Sequence, residues 1–246
     1  MSTSLLDQPV GYLARTIPGS TRLFHEHKID FCCGGKHKLR DAVTELGVDG
    51  EAIAAALETL RARPAQSGQN WDEAEPAHLI NYLLEHFHAA HREQLPELIR
   101  LARRVEQVHG EHPACPRGLA DHLTAVQQEL ESHMMKEEQI LFPLLARGAG
   151  PMVGGPISVM QMEHDHHGES LRRIDELTND ITLPRGACNT WRALYAGLRQ
   201  LHDELMEHIH LENNILFENA LSEKTASAEN PATQAQTTTG CGCSNQ

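Results

Sequence analysis

The sequence predicts an all-α protein: a small N-terminal helical domain followed by an up-down-up-down four-helix bundle. Three observations carry that expectation. Aromatic residues make up only 4% of the chain, which suits bundles packed with Leu, Ala and Met better than a β-sandwich. From Pro76 onward the apolar residues recur with helical period over long stretches. The breaks between those stretches, HGEHPACPRG, RGAGPMVGGP and NDITLPRG, are rich in glycine and proline.

The N-terminal part reads as short, heavily punctuated helices. Asp7 is placed to cap a helix through Tyr12, Leu13 and Ala14, with Pro9 in its first turn. Ser20 or Thr21 is placed to cap a second through Leu23, Phe24 and His27. Asp30-Phe31-Cys32-Cys33-Gly34-Gly35 breaks the period as a tight loop. Helical spacing resumes over Leu39–Leu46 and Ile53–Leu60, separated by Gly47 and a capping Asp49. The expected organisation is an N-terminal Cys-Cys domain over 1–63, a linker over 64–75 and a bundle over 76–221. A polar, disordered tail over 222–246 ends the chain. Within the bundle the helices are expected at about 76–110, 117–147, 157–180 and 187–220, the first kinked at Pro96.

Composition excludes several functions. A net charge of −13 repels phosphate backbones, so nucleic acid is not an expected partner. No apolar run reaches the roughly 20 residues that span a bilayer, and the start lacks a basic leader and an apolar stretch. The expected compartment is the cytoplasm, where six cysteines stay reduced and form no disulfide framework. The 17 histidines are the outlier, nearly matching the 21 Lys and Arg together.

An internal repeat gives those histidines a purpose. Glu129–Phe142 and Glu204–Phe217 align at an offset of 75, with seven of fourteen positions identical. Glu85–His91 resembles Gln161–His167 at an offset of 76. One helical hairpin is thus used twice, each offering a lone His on its first helix and His-x-x-x-Glu on its second. Residues four apart share a helix face, so His133 with Glu137, and His208 with Glu212, point into the core beside His88 and His164. Four imidazoles and two carboxylates converging there are too polar to bury without an ion. Two metals satisfy them, each with two histidines and with the carboxylates bridging; nitrogen and oxygen donors without thiolate suit iron or manganese. With a bridging oxo or hydroxo group each metal has about five ligands, short of an octahedral six, so one position per metal stays open to a small molecule.

Most other histidines, His86, His109, His112, His122, His202 and His210, are expected at exposed or loop positions. His91, His166 and His167 lie within a turn of the ligands, and Glu129, Glu163 and Glu204 are candidates to orient the imidazoles or line an entry path. The Met134-Met135 pair, Cys115 and Cys188 are expected to serve packing.

The Asp30–Gly35 loop, His91-Arg-Glu-Gln-Leu-Pro-Glu-Leu98, Ser132–Pro143, Gly155–Met160 and Leu211-Glu212-Asn213-Asn214 together resemble the di-iron "repair of iron centres" proteins. These are hemerythrin-like proteins of bacteria that respond to nitric oxide and oxidative stress. The resemblance runs from about residue 7 to 221, and the family's ligands fall on His88, His133, Glu137, His164, His208 and Glu212. It implies iron rather than manganese, held as an oxo- or hydroxo-bridged pair. It also implies repair of damaged iron–sulfur clusters by iron donation, with damaged iron–sulfur proteins or cluster-assembly components as partners and a centre that reacts with nitric oxide. The alternative is a nitric oxide or oxygen binding protein; nitric oxide reduction is a third possibility. A homodimer is carried as an expectation.

Cys32-Cys33 matches the family's N-terminal domain. Adjacent cysteines close a disulfide ring only with strain, and beside Lys36 and His37 thiolate character is expected. A redox, iron-handling or cluster-docking role is preferred to packing. The C-terminal extension with Cys241-Gly-Cys243 departs from the family pattern, and a lone Cys pair there is weak evidence for a soft-metal or thiol-exchange site.

Overall fold

In the computed structural model, residues 4–62, 71–148 and 152–228 are described. Arg63, residues 64–70 of the expected linker, and residues 229–246 of the expected tail with Cys241 and Cys243 lie outside them; residues 222–228, expected as the start of a disordered tail, instead continue the last helix. Among the described residues no strand forms; Pro9 and Lys38 make an isolated antiparallel bridge.

The N-terminal part contains α1 (Val10–Thr16), α2 (Ser20–Glu26), α3 (Leu39–Leu46) and α4 (Gly50–Arg61). Two expected caps are corrected. Asp7 lies in a 3-10 turn, and extended Pro9, rather than Asp7, stands at the α1 N-cap. Asp7 is instead bound to Arg40. Gly19, with φ of 84°, starts α2, so Ser20 lies inside the helix. Its buried hydroxyl donates to the carbonyls of Leu13 and Ala14. Asp49 caps α4 as expected, accepting from the amides of Glu51 and Ala52.

Four long helices follow. Helix α5 covers residues 76–109, opening with Pro76 in its first turn. Helix α6 covers 119–146, α7 is Gly154–Thr178, and α8 covers 189–228. Each packs against two others, in the cyclic order α5, α6, α7, α8; with the short connections between them this is the up-down-up-down bundle. The helix over Ala89–His109 continues through Pro96 on its exposed face. The interruption in α5 comes earlier, at a π-turn over Leu84–His88. Two more π-turns interrupt α6 at Glu137–Leu141 and α8 at Glu212–Leu216.

Two apolar clusters fill the interior. The larger joins Val10, Phe24, Leu39 and Leu57 of the N-terminal helices to Leu95, Leu123, Trp191 and Leu205 of the bundle. The smaller, with Leu83, Phe87, Leu141, Phe142, Leu216 and Phe217, closes the other end. Burying each such side chain stabilises the fold by about 1.5–3 kcal/mol, so the two ends hold the helices around the polar layer between them.

The N-terminal helices are keyed to α8 by Asn214. Its side-chain amide donates to the Phe31 carbonyl at 3.0 Å, and its Oδ1 fills the space beside Gly11 and Gly35. The Gly11 amide donates to the Gly35 carbonyl at 2.8 Å. A Cβ on Gly11 would sit 2.3 Å from Asn214 Oδ1. Alanine gains about 1 kcal/mol of helix propensity over glycine, but overpacking costs about 1–3 kcal/mol. Gly11→Ala is therefore expected to lower the thermal midpoint, and combined with Asn214→Ala it should cost less than the sum of the two single changes. Thermal unfolding of the four proteins of this cycle checks the non-additivity.

Candidate metal centre

Helical spacing brings the six predicted residues together at mid-bundle. His88, His133, Glu137, His164, His208 and Glu212 are all 1% exposed or less. His88 ends the first π-turn, and Glu137 and Glu212 begin the second and third. A π-turn widens the helix by one residue per turn and marks functional sites. Here it lets the ligands face the axis while the apolar stripe resumes at Leu141-Phe142 and Leu216-Phe217.

The carboxylates divide their oxygens. Glu137 Oε2 faces His88 Nε2 at 3.4 Å, and its Oε1 faces His133 Nε2 at 3.2 Å. Glu212 Oε1 faces His208 Nε2 at 3.1 Å, and its Oε2 faces His164 Nε2 at 3.1 Å. Two clusters of donor atoms result: His88, His208, Glu137 and Glu212 form one, and His133, His164 and the same two carboxylates form the other. His133 and His164 present their Nε2 atoms to each other at 3.0 Å. That separation matches two imidazoles at right angles on one ion, with bonds of about 2.1 Å. His88 Nε2, both oxygens of Glu137 and Glu212 Oε2 are buried without a hydrogen-bond partner, a costly state for polar groups that a cation relieves. The donor set fits metal.

The charges agree with this. Burial would raise the Glu137 carboxyl, and Glu212 nearby adds to that, but His133 and His88 hold it below the usual carboxylate range. Glu212 is likewise held well down, against its burial, by His208 and His164. Burial opposes protonation of His133, yet Glu137 outweighs it and raises the imidazole to about 9.

With Nε2 directed at the centre, Nδ1 of each imidazole is left to donate outward. His133 Nδ1 donates to Glu163 Oε2 at 2.9 Å, and Glu163 is clamped by Lys136. His88 Nδ1 donates to Glu138 Oε1 at 2.8 Å, which Arg92 also holds at 2.8 Å. His164 Nδ1 donates to Asn213 Oδ1 at 2.9 Å. Of the three predicted orienting carboxylates, Glu163 touches a ligand. Glu204 turns to Gln94 and Gln200, and Glu129 is exposed. Glu138 and Asn213 were missed. Glu138 follows Glu137 and Asn213 follows Glu212 at the same position of the repeat, and that shared position was the signal available.

His91 and His167 are buried beside the ligands, their rings 5.4 Å from His208 and 4.8 Å from His133. His166 is exposed. The expectation that His210 is exposed is corrected: it is buried, with Nδ1 accepting from Asn214 Nδ2 at 2.9 Å and its ring edge-on to Phe31. His86 is exposed, while His109, His112, His122 and His202 are half-buried. Cys188 caps α8 with its sulfur 3.1 Å from His109 Nε2, Cys115 packs in the larger cluster, and Met134 is buried where Met135 is exposed.

The Cys-Cys loop lies against the centre. Cys33 Sγ donates to the His164 carbonyl at 3.2 Å, and Asn213 Nδ2 donates to the Cys32 carbonyl at 3.1 Å. The two sulfurs are 3.6 Å apart and unbonded. The expected thiolate character is corrected for Cys32. The neighbouring Cys33 thiol, burial and the Asp30 carboxylate all push its pKa well above the ordinary value. The basic Lys36 and His37 are exposed and do not offset this.

Comparison with known proteins adds an independent line. A profile described as the hemerythrin HHE cation binding domain matches residues 79–220. Another, described as a domain of unknown function, matches 6–61. An iron-sulfur cluster repair protein YtfE of Yersinia pseudotuberculosis is 51% identical over 215 residues, 87% of this chain and 97% of that protein. A Yersinia pestis protein of the same name matches with the same identity and coverage. The chain belongs to the hemerythrin-like family of iron–sulfur cluster repair proteins. The matched domain is named for cation binding, and the buried His and Glu groups are a set that could hold a metal ion.

Burial holds His91 at about 3 and His167 at about 2, with the neighbouring ligand imidazoles adding to the effect. Both stay neutral in the folded chain while the unfolded chain takes up protons below about 6.5. The unfolded state then binds more protons, so the metal-free protein is expected to lose stability as pH falls from about 6.5 toward 3. Urea midpoints at pH 7 and pH 5 should fall less in His91→Leu/His167→Leu than in the parent.

Proposed function

We propose that this protein repairs damaged iron–sulfur clusters by donating iron from a pair of irons held by His88, His133, Glu137, His164, His208 and Glu212. The observation that carries the proposal is the division of each buried carboxylate between two pairs of imidazoles. One ion needs no such division; two ions bridged by Glu137 and Glu212, with an oxo or hydroxo bridge between them, use every donor. The relatives' name, iron-sulfur cluster repair protein, supports the same reading.

Iron bound there supplies an exchangeable ferrous ion and a redox-active centre. The protein's residues do the rest. Glu138, Glu163 and Asn213 fix which nitrogen of His88, His133 and His164 faces the axis. Phe142 and Phe217 pack on His88 and His164 and keep water from that side. Asn213 ties His164 to the Cys32-Cys33 loop, so the thiols of the 1–63 unit stand where iron leaving the centre would meet soft donors. In this reading 64–75 is the connection from the 1–63 unit to the 76–221 bundle. The clients are damaged iron–sulfur proteins or cluster-assembly components, met in the cytoplasm. No helix among the described residues is long and apolar enough to cross a membrane.

Reactivation of a cluster-damaged dehydratase by iron-loaded protein tests the reading. Glu137→Leu and Glu212→Leu are each expected to lower bound iron and to slow reactivation at least about tenfold, the scale on which even outer contacts to a metal act. Full reactivation by both variants would remove the centre from the function.

A second reading rests on the ligand count. Two imidazoles and two carboxylate oxygens give each ion four protein donors, fewer than the roughly six that iron accepts, which leaves room for nitric oxide. Anaerobic titration of the reduced protein with nitric oxide is expected to give tight, stoichiometric uptake. Uptake should be unchanged in Cys32→Ser/Cys33→Ser, while the same change abolishes repair.

A further inference from the structure

The internal repeat makes two half-sites, but their surroundings are not equivalent. Of the pair facing one ion, His133 donates from Nδ1 to Glu163 and His164 to Asn213. Of the pair facing the other, His88 donates to Glu138, but His208 Nδ1 is buried with no hydrogen-bond partner. The repeat explains the gap. Aligning Glu85–His91 with Gln161–His167 puts Phe87 where the other half has Glu163. Phe87 fills the place with an apolar ring, stacked on His208 at 5.3 Å with the planes 3° apart. One half-site thus has a lysine-clamped carboxylate behind its second-helix histidine, and the other has a phenyl face.

We propose that the two irons are held unequally, with the iron on His88 and His208 the exchangeable one and the iron on His133 and His164 the retained one. The inference rests on the di-iron reading above and deepens it by naming which ion leaves. An Nδ1–H donated to a carboxylate locks the imidazole's orientation and raises its basicity toward metal, and such outer contacts are worth about 10–100-fold in metal affinity. His208 has neither benefit; stacking holds its plane but adds no electron density at Nε2. Glu137 and Glu212 serve both ions, so after the first leaves they remain to hold the second with His133 and His164. The release is ligand exchange: ferrous ion passes to an acceptor that supplies its new donors as the bonds to His88 and His208 break, and no electron moves. Glu163 and Phe87 act through their histidines and are positioning residues.

The test is anaerobic iron release from reduced full-length protein to excess bipyridine, after its iron content is measured. Release is expected in two phases of one equivalent each, the faster leading by about tenfold or more. A Mössbauer spectrum of protein recovered between the phases should lack one of two starting ferrous doublets. Glu163→Leu should accelerate the slow phase toward the fast one and leave the fast phase alone, with Glu163→Gln, which keeps an acceptor, falling between. Phe87→Glu should slow the fast phase; if that protein does not fold, the Glu163 series and the parent's phases decide. Two irons leaving in one phase, or a slow phase indifferent to Glu163→Leu, would overturn the inequality and leave the di-iron reading standing. A starting content below two irons would overturn that reading and the inequality with it.

Discussion

Everything in this molecule answers to the burial of two carboxylates between four imidazoles in the middle of a helical bundle. Ionised carboxylates in an apolar interior are costly unless paired, and Glu137 and Glu212 are fully enclosed. The protein meets that cost by placing the polar layer between two apolar clusters that hold the helices in place. A bundle packed by the polar layer alone would splay. One without that layer could not retain a cation.

The same constraint accounts for the π-turns. A regular helix carries residues four apart up one face but drifts relative to a straight partner. Starting a π-turn at Glu137 and at Glu212 keeps His-x-x-x-Glu aimed at the axis and re-sets the register, so that Leu141 and Leu216 return to the core. The N-terminal helices belong to the same arrangement. The two asparagines after Glu212 reach in opposite directions: Asn213 orients His164 and holds Cys32, while Asn214 fits between Gly11 and Gly35 and holds Phe31. A contact made for the metal centre therefore also docks the cysteine loop, and structure at one is felt at the other.

Much of this was legible in the sequence, for a physical reason. Helical period and glycine–proline punctuation act locally, so the bundle helices could be read. The buried His and Glu residues are doubled by an internal repeat, so a weak His-x-x-x-Glu signal became a strong one. What escaped was set by tertiary contact. Glu138 looks like any exposed acid until α5 brings His88 and Arg92 to it. His210 looks like a surface histidine until Phe31 and Asn214 bury it. Cys32 sits in a locally basic string, but Asp30 and Cys33, not Lys36, are what its sulfur meets. The caps at Asp7 and Ser20 failed because Pro9 and Gly19 had stronger backbone preferences at the same turns.

The central claim is that Glu137 and Glu212 bridge two irons rather than flank one. An anomalous-difference map from crystals of the iron-loaded protein, collected across the iron edge, tests it most directly. The account predicts two peaks about 3.5–4 Å apart, one beside His88 and His208 and the other beside His133 and His164. A single peak between the carboxylates, or iron bound anywhere but among these six residues, would contradict it.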